Sequence, residues 1–255
     1  MKLGAIINVW ADSVCLLWSC IRNIDPVADH IIIVWSQVSN HGVKNDSVLH
    51  FMVDSKLNNN PKTTWIQKEP RAVNPQDNER LKRNAGITAA YELGCTHYLM
   101  MDTDEFYLPE ELLKDKSLFK DNPELNGIVH KLKVFVGKPT LCCDDHTLVP
   151  GIQKLMRNSE VGNFKHYPFA YDKQGNAHID PTRRTNETKG VIMSDHYMWH
   201  FSYVRENIDL KIQNSSANLK RSEDRIKRDI QNAAPGYVSE LYHRPLEEVP
   251  NYFSL

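Results

Sequence analysis

Excess charge of either sign is missing from this chain. Lysine plus arginine number 31 against 32 for aspartate plus glutamate, a formal net charge of -1 over 255 residues. A broad polyanion-binding surface needs a one-sided surplus, so the balance gives no strong nucleic-acid signal. Cysteine is scarce and unpatterned: Cys15, Cys20, Cys95, Cys142 and Cys143 form no Cys-x-x-Cys pair and leave an odd total. Neither a disulfide framework nor a zinc site follows, and the five read as reduced, cytosolic thiols. Long apolar runs are absent as well. Residues 31–35, IIIVW, are the longest near the N-terminus, far short of the ~20 residues of a membrane span. The opening MKLGAIINVWAD has one lysine and meets Asn8 too soon for a signal peptide, so it reads as a first strand. The expectation is a soluble, cytoplasmic chain. No GxGxxG or GxxxxGK[ST] occurs, which leaves dinucleotide oxidoreductases and P-loop enzymes as poor fits.

What is present is an ordinary globular composition, 41% hydrophobic and 25% charged, in a chain long enough for one large α/β domain. Residues 3–9 read as a buried strand, 14–24 as a helix with apolar Val14, Leu17, Trp18 and Ile21 on one face, and 30–36 as a second strand. Strand, crossover helix and strand within ~35 residues make a parallel, right-handed βαβ unit. Residues 63–67 follow as a third strand. Asn74 as cap, Pro75 at the first position, Asp77 in the first turn and Gly94 as the stop mark a long helix. Residues 96–101 form a fourth strand, 109–116 a short helix, and 127–136 a strand whose Lys131 and Lys133 suggest antiparallel pairing or an edge. From 139 to 178 turns and short strands are expected. Residues 191–204 read as a long strand and 205–234 as charged helix.

The stretch HYLMMDTDEFYLP, residues 97–109, sets Asp102, Asp104 and Glu105 at the end of an apolar strand. Like charges this close repel, and each loses hydration near a core. A bound cation relieves the conflict; so does a turn in which the aspartates accept backbone hydrogen bonds. In open parallel sheets ligands bind beyond the carboxyl ends of the strands. An i,i+2 pair in an extended segment faces one side, so Asp102 and Asp104 can share a cation, and their hard oxygens suit Mg2+ or Mn2+.

Residues 80–112, RLKRNAGITAAYELGCTHYLMMDTDEFYLPEEL, together with INVWAD at 7–12, resemble the family 2 glycosyltransferases and their relatives of the GT-A fold. The resemblance covers residues 2 to about 112. It implies an α/β GT-A fold: a Rossmann-like, mostly parallel central sheet with flanking helices and a mixed C-terminal half. As a single domain, 1–255, it would split into a nucleotide-sugar half (about 1–135) and an acceptor half with C-terminal helices (about 136–255). The implied partners are a nucleotide-sugar donor and a hydroxyl-bearing acceptor, and the implied cofactor is Mn2+ or Mg2+. Carried over by position, Asn8, Val9, Trp10 and Asp12 would line the base and ribose, and Arg83 and Asn84 the nucleotide. Asp102 would meet ribose and metal, and Asp104 the metal. His200, in HFSYVR, corresponds to a late metal ligand, while His196 and Trp199 fall on the acceptor side and Lys211 near the diphosphate. His196 and His200, four apart on a strand, are ~13 Å apart and cannot share one ion. One departure is the run Trp35-Ser36-Gln37 where relatives carry acids, which puts UDP in doubt.

Attack by an acceptor hydroxyl with inversion needs a carboxylate base. Asp144, Asp145, Asp180 and Asp195 are the candidates, each equally readable as a turn residue. Arg183 and Arg184 read as phosphate ligands or as a solvated loop. Three other functions compete. A sugar-phosphate nucleotidyltransferase would need a glycine-rich basic loop after the first strand. A haloacid-dehalogenase-like phosphatase would carry its DxD at the first strand, without Glu105 behind it. A non-enzymatic nucleotide-binding module would keep its function without the acids.

Overall fold

The computed structural model describes residues 1–10, 14–44, 60–176, 178–205, 207–215 and 219–255. Asp12 lies outside them. β1 (Leu3–Val9) is buried at every position. Ala5 and Ile7 face one layer, with Leu17, Cys20 and Ile21 of α1 (Val14–Ile24). Ile6 faces the other, with Ile87 and Ala90 of α2 (Pro75–Glu92). A strand covered on both sides has no polar face, which is why its sequence is continuously apolar. β2 (His30–Trp35) and β4 (His97–Asp102) flank β1 in parallel, and β3 (Thr63–Gln67) extends β2 in parallel. Asn74 caps α2 by accepting from the Gln76 amide at 2.9 Å. Gly86 lets that helix sit close: a Cβ there would lie 2.2 Å from Ile6 Cγ2.

Past β4 the sheet changes character. β5 (Glu105–Phe106), α3 (Pro109–Asp121), β6 (Gly127–Val136), β7 (Leu141–Lys154) and β8 (Val191–Tyr203) follow, then α4 (Ile208–Asn214), a 3-10 turn (Leu219–Ser222), α5 (Glu223–Asn232) and β9 (Glu247–Glu248). One nine-stranded sheet has the order β3-β2-β1-β4-β7-β6-β8-β5, with β9 on β7. This is the α/β class expected, a parallel N-terminal half continued by a mixed half. β6 pairs antiparallel with β7, one of the two arrangements expected of it, and is internal because β8 pairs with it in parallel on the other side; its lysines mark a partly wet face, with Lys133 on Asp144 (3.0 Å) and Glu247 (3.1 Å). One expectation fails. Residues 141–154 are one 14-residue strand where short strands and turns were expected. Pro150 sits there beside a register shift, where a missing ladder N–H costs least. Among the described residues no helix is long and apolar enough to cross a membrane.

His97, at the start of β4, packs edge-on against Phe119, ring centroids 4.7 Å apart. Burial, with the N-terminal amine, Lys154 and Lys116 nearby, pushes its pKa down to about 4. An unfolded histidine titrates near 6.5. The stability this group contributes is therefore present above pH 6.5 and lost as pH falls toward 4, where the unfolded chain binds a proton that the fold refuses. Thermal melts from pH 7 to 4 are expected to show that loss, and His97→Leu is expected to shrink it; an unchanged profile in the variant would refute the assignment.

Candidate active site

The carboxyl ends of β1 and β4 open into a cavity of about 320 Å³. Asn8, Val9 and Trp10 line it from the end of β1, and Asp102, Asp104 and Glu105 from the turn joining β4 to β5. Asp145 and Thr147 of β7, Asp180 and Arg183 of the following loop, His200 of β8 and Lys211 of α4 complete the polar wall. Two irregularities in the sheet aim side chains into it. β6 pairs Lys131 with Leu148 but Leu132 with Asp145, so β7 carries two extra residues, His146 and Thr147. β6 also pairs Val134 with His200 and Val136 with Tyr203, leaving one extra residue on β8. Bulges bend a strand and redirect its side chains. Pairing of β5 with β8 sets Glu105 opposite His200, and the Phe201 amide donates to the Asp104 carbonyl at 2.7 Å.

The acids that looked mutually repulsive are neutralised one by one. Asp104 is fully buried and receives Arg205, Lys211 Nζ at 3.1 Å and His200 Nε2 at 3.5 Å, all on Oδ2. Burial favours its neutral form, but Lys211, His200 and Arg205 overcome that and hold the carboxyl well below the usual range. Asp102 meets Arg83 at 3.2 Å and Arg183 at 2.6 Å. There too burial works to raise the pKa, and the two guanidiniums win, pulling it down to about 2. Glu105 takes both Arg183 nitrogens and the Asp102 amide at 2.9 Å. Its burial and the neighbouring Asp102 charge outweigh that help and raise its pKa. Arg83, beneath the cavity with no exposed surface, also pairs with Glu79.

Several polar atoms at the cavity have no hydrogen-bond partner among the described residues. Asn8 is 7% exposed, yet both its amide atoms are unsatisfied, as is Asp104 Oδ1. Unpaired buried polar atoms are costly, and their convergence on one cavity marks a place for a polar ligand. No group of three or more His, Cys, Asp or Glu side chains among the described residues is spaced to hold a metal ion as it stands.

Asn8, Val9, Trp10, Asp102, Asp104, Lys211, His200, Asp145 and Asp180 thus meet in one cavity. Arg183 lines it too, and Arg83 pairs with Asp102 behind it, whereas Asn84, His196, Trp199, Asp144 and Asp195 do not reach it. Asn84 leaves it to bond the Val161 backbone, donating at 3.1 Å and accepting at 2.8 Å. His196 sits on Asp115 of α3 at 3.0 Å. Trp199 is core, packed on Phe135 and Tyr252. Asp144 is turned outward onto Lys133, and Asp195 is exposed on β8. Arg183 and Arg184, 5% and 1% exposed, are no solvated loop. Sequence reasoning assigned no role to Arg205; the signal available was charge itself, since three acids at one strand end demand cations from somewhere.

No known family profile matches the chain, and no curated protein matches it in sequence. Among solved structures the chain is similar to S. aureus TarS 1-349, with a TM-score of 0.47 and 16% identity over 91% of this chain and 71% of that one. The same TarS fragment in complex with UDP-GlcNAc gives 0.49 and 15%, over 91% and 72%. A CMP:2-keto-3-deoxy-manno-octonic acid synthetase complexed with CTP gives 0.35 and 10%, over 55% and 58%. These likenesses are remote, and the functional reading rests on the site.

Proposed function

We propose that this chain is a metal-dependent glycosyltransferase of the GT-A type, moving a sugar from a nucleotide donor to a hydroxyl acceptor. The observation that carries the reading is the cavity at the carboxyl end of the parallel strands. There Asp102, Asp104 and Glu105 face Arg183, Arg205 and Lys211, and Asn8 and Asp104 keep unsatisfied atoms. Asn8, Val9 and Trp10 would receive the nucleoside, Arg83 would support Asp102 from below, and Lys211 and Arg205 would share their charge with the diphosphate. Asp104 Oδ1, buried and without a hydrogen-bond partner among the described residues, and His200, 3.5 Å from the same carboxylate, suit a hard divalent cation. With Asp102 they would hold Mn2+ or Mg2+, the substrate phosphates supplying further oxygens. When bound, such an ion stabilises negative charge on a departing diphosphate.

The phosphatase alternative is weaker because its first aspartate must attack phosphorus, and here Asp102 Oδ2 is held by Arg83 and Arg183. A nucleotidyltransferase shares the cavity but lacks its glycine-rich loop in Asn8-Val9-Trp10-Ala11-Asp12.

Calorimetric titration with UDP and with GDP, with and without Mn2+, tests the reading. One nucleotide is expected to bind, and more tightly with Mn2+; no binding of either would end the proposal. His200→Ala is expected to weaken Mn2+ binding more than His196→Ala, since His196 is committed to Asp115. The reverse order would remove His200 from the ligand set.

A further inference from the structure

Of the four carboxylates that chemistry allows as the base, the fold leaves one suitably placed. Asp144 is salt-bridged to Lys133 at 3.0 Å and 55% exposed, and Asp195 is exposed away from the cavity. Asp180 reaches the cavity, but on the donor side. Its Oδ1 accepts from the Thr182 amide (2.7 Å) and hydroxyl (2.8 Å), and its Oδ2 lies 4.0 Å from Arg183 Nε. Asp145 differs. The Thr147 amide (2.9 Å) and hydroxyl (3.0 Å) both donate to Oδ1, fixing the carboxylate while Oδ2 stays open to a substrate among the described residues. The two extra residues on β7 after Asp145 interrupt the ladder beside it, where Asp145, Thr147 and Val149 all line the cavity.

Its surroundings suit proton acceptance from a neutral hydroxyl. Tyr203 and Tyr242 line the same wall, the Tyr242 hydroxyl donating to Tyr203 at 3.3 Å. Burial, joined by the negative charge of Asp145, pushes the Tyr203 hydroxyl up, so it stays protonated and does not compete as a base. Leu132, Val149 and Met198 form an apolar floor beside Asp145. These three side chains carry no charge, so a neutral ring with one apolar face can lie on them and turn a hydroxyl toward the carboxylate.

We propose that Asp145 is the catalytic base and that the acceptor is a hydroxyl on a neutral ring bound over Leu132, Val149 and Met198. The proposal rests on the glycosyltransferase reading and adds a stereochemical commitment. The acceptor O–H proton passes to Asp145 Oδ2 as the acceptor oxygen bonds to the anomeric carbon. The bond from that carbon to the phosphate oxygen breaks, its electron pair leaves on the nucleoside diphosphate, and configuration inverts. Asp145 then returns its proton to water.

Water can stand in for the acceptor, so the test needs no acceptor identity. The wild type is incubated with UDP-N-acetylglucosamine, UDP-glucose and GDP-mannose, all α-linked, with Mn2+, and the freed sugar is followed by proton NMR before it mutarotates. The β-anomer is expected first. Asp145→Asn is expected to lower kcat by about 10²–10⁴-fold with KM within about threefold, and to lose the acid limb of the wild-type pH–rate profile. Asp144→Asn is expected to match the wild type. Release of the α-anomer first, or an Asp145→Asn rate above a tenth of wild type, overturns the assignment while leaving the transferase reading standing. A wild type that binds and hydrolyses none of the donors overturns both.

Discussion

Arg183→Met is expected to destabilise the protein by about 3–5 kcal/mol, the range for removing one partner of a buried ion pair. Arg183 is 5% exposed, donates to Asp102 Oδ2 at 2.6 Å and to Glu105 Oε2 at 2.9 Å, and pairs with Glu105 Oε1 as well. Methionine keeps most of the chain length and removes the charge. Asp102 would still have Arg83 at 3.2 Å. Glu105, 1% exposed, would keep the Asp102 amide and lose its guanidinium. Its pKa is already raised by burial, against Arg183, and would rise further. An acid whose folded pKa is raised adds stability at low pH and gives it up as pH climbs through that pKa. The deficit should therefore be largest near pH 7.5 and shrink toward pH 5. Urea unfolding at the two pH values checks this, and Glu105→Gln in the Arg183→Met background should recover part of the loss. A cost under about 1 kcal/mol, as for an exposed pair, would mean that the acids are not held as described.

The parallel half was legible because its physics is local. β1 and β2 announce themselves as unbroken apolar runs, and α2 by Asn74 and Pro75 at its start and Gly94 (φ 71°) at its end. β7 was hidden because CCDDHT is polar and carries a bulge, so neither an apolar run nor strict alternation marks it. The site shows the same division. Asp102 and Asp104 stand out by sequence and Lys211 is a candidate there, but the partnership of Arg205 and Lys211 with Asp104 spans 101 and 107 residues, a distance no periodicity covers. Asn84 follows Arg83 on a helix, where neighbours diverge by about 100°, so a role carried to both splits: Arg83 faces the acids and Asn84 faces Val161. His196 and His200 would share a face on a regular strand. Between Met193 and Tyr197 β8 uses four steps against two on β6, and His196 is delivered to Asp115 instead.

Asp104→Asn separates the two charges that meet at the cavity. The substitution keeps shape and removes one negative charge, while Arg205, Lys211 and His200 remain around a neutral amide. Without metal, the cavity then carries one more net positive charge, and a nucleoside diphosphate in EDTA should bind as well as to the wild type or better. With Mn2+ the effect should reverse. A metal-stimulated gain in affinity is expected in the wild type and lost in the variant, and donor turnover should fall by about 10²–10³-fold, the scale of one preorganised charge-stabilising contact. The opposite signs guard against a trivial explanation, since a misfolded variant would lose binding in EDTA too. Equal Mn2+ stimulation in both proteins would move the cation away from Asp104. Loss of EDTA binding in a variant that still melts cooperatively would mean that Asp104 positions Arg205 and Lys211 for the diphosphate, so that the carboxylate serves the basic side chains instead of a metal.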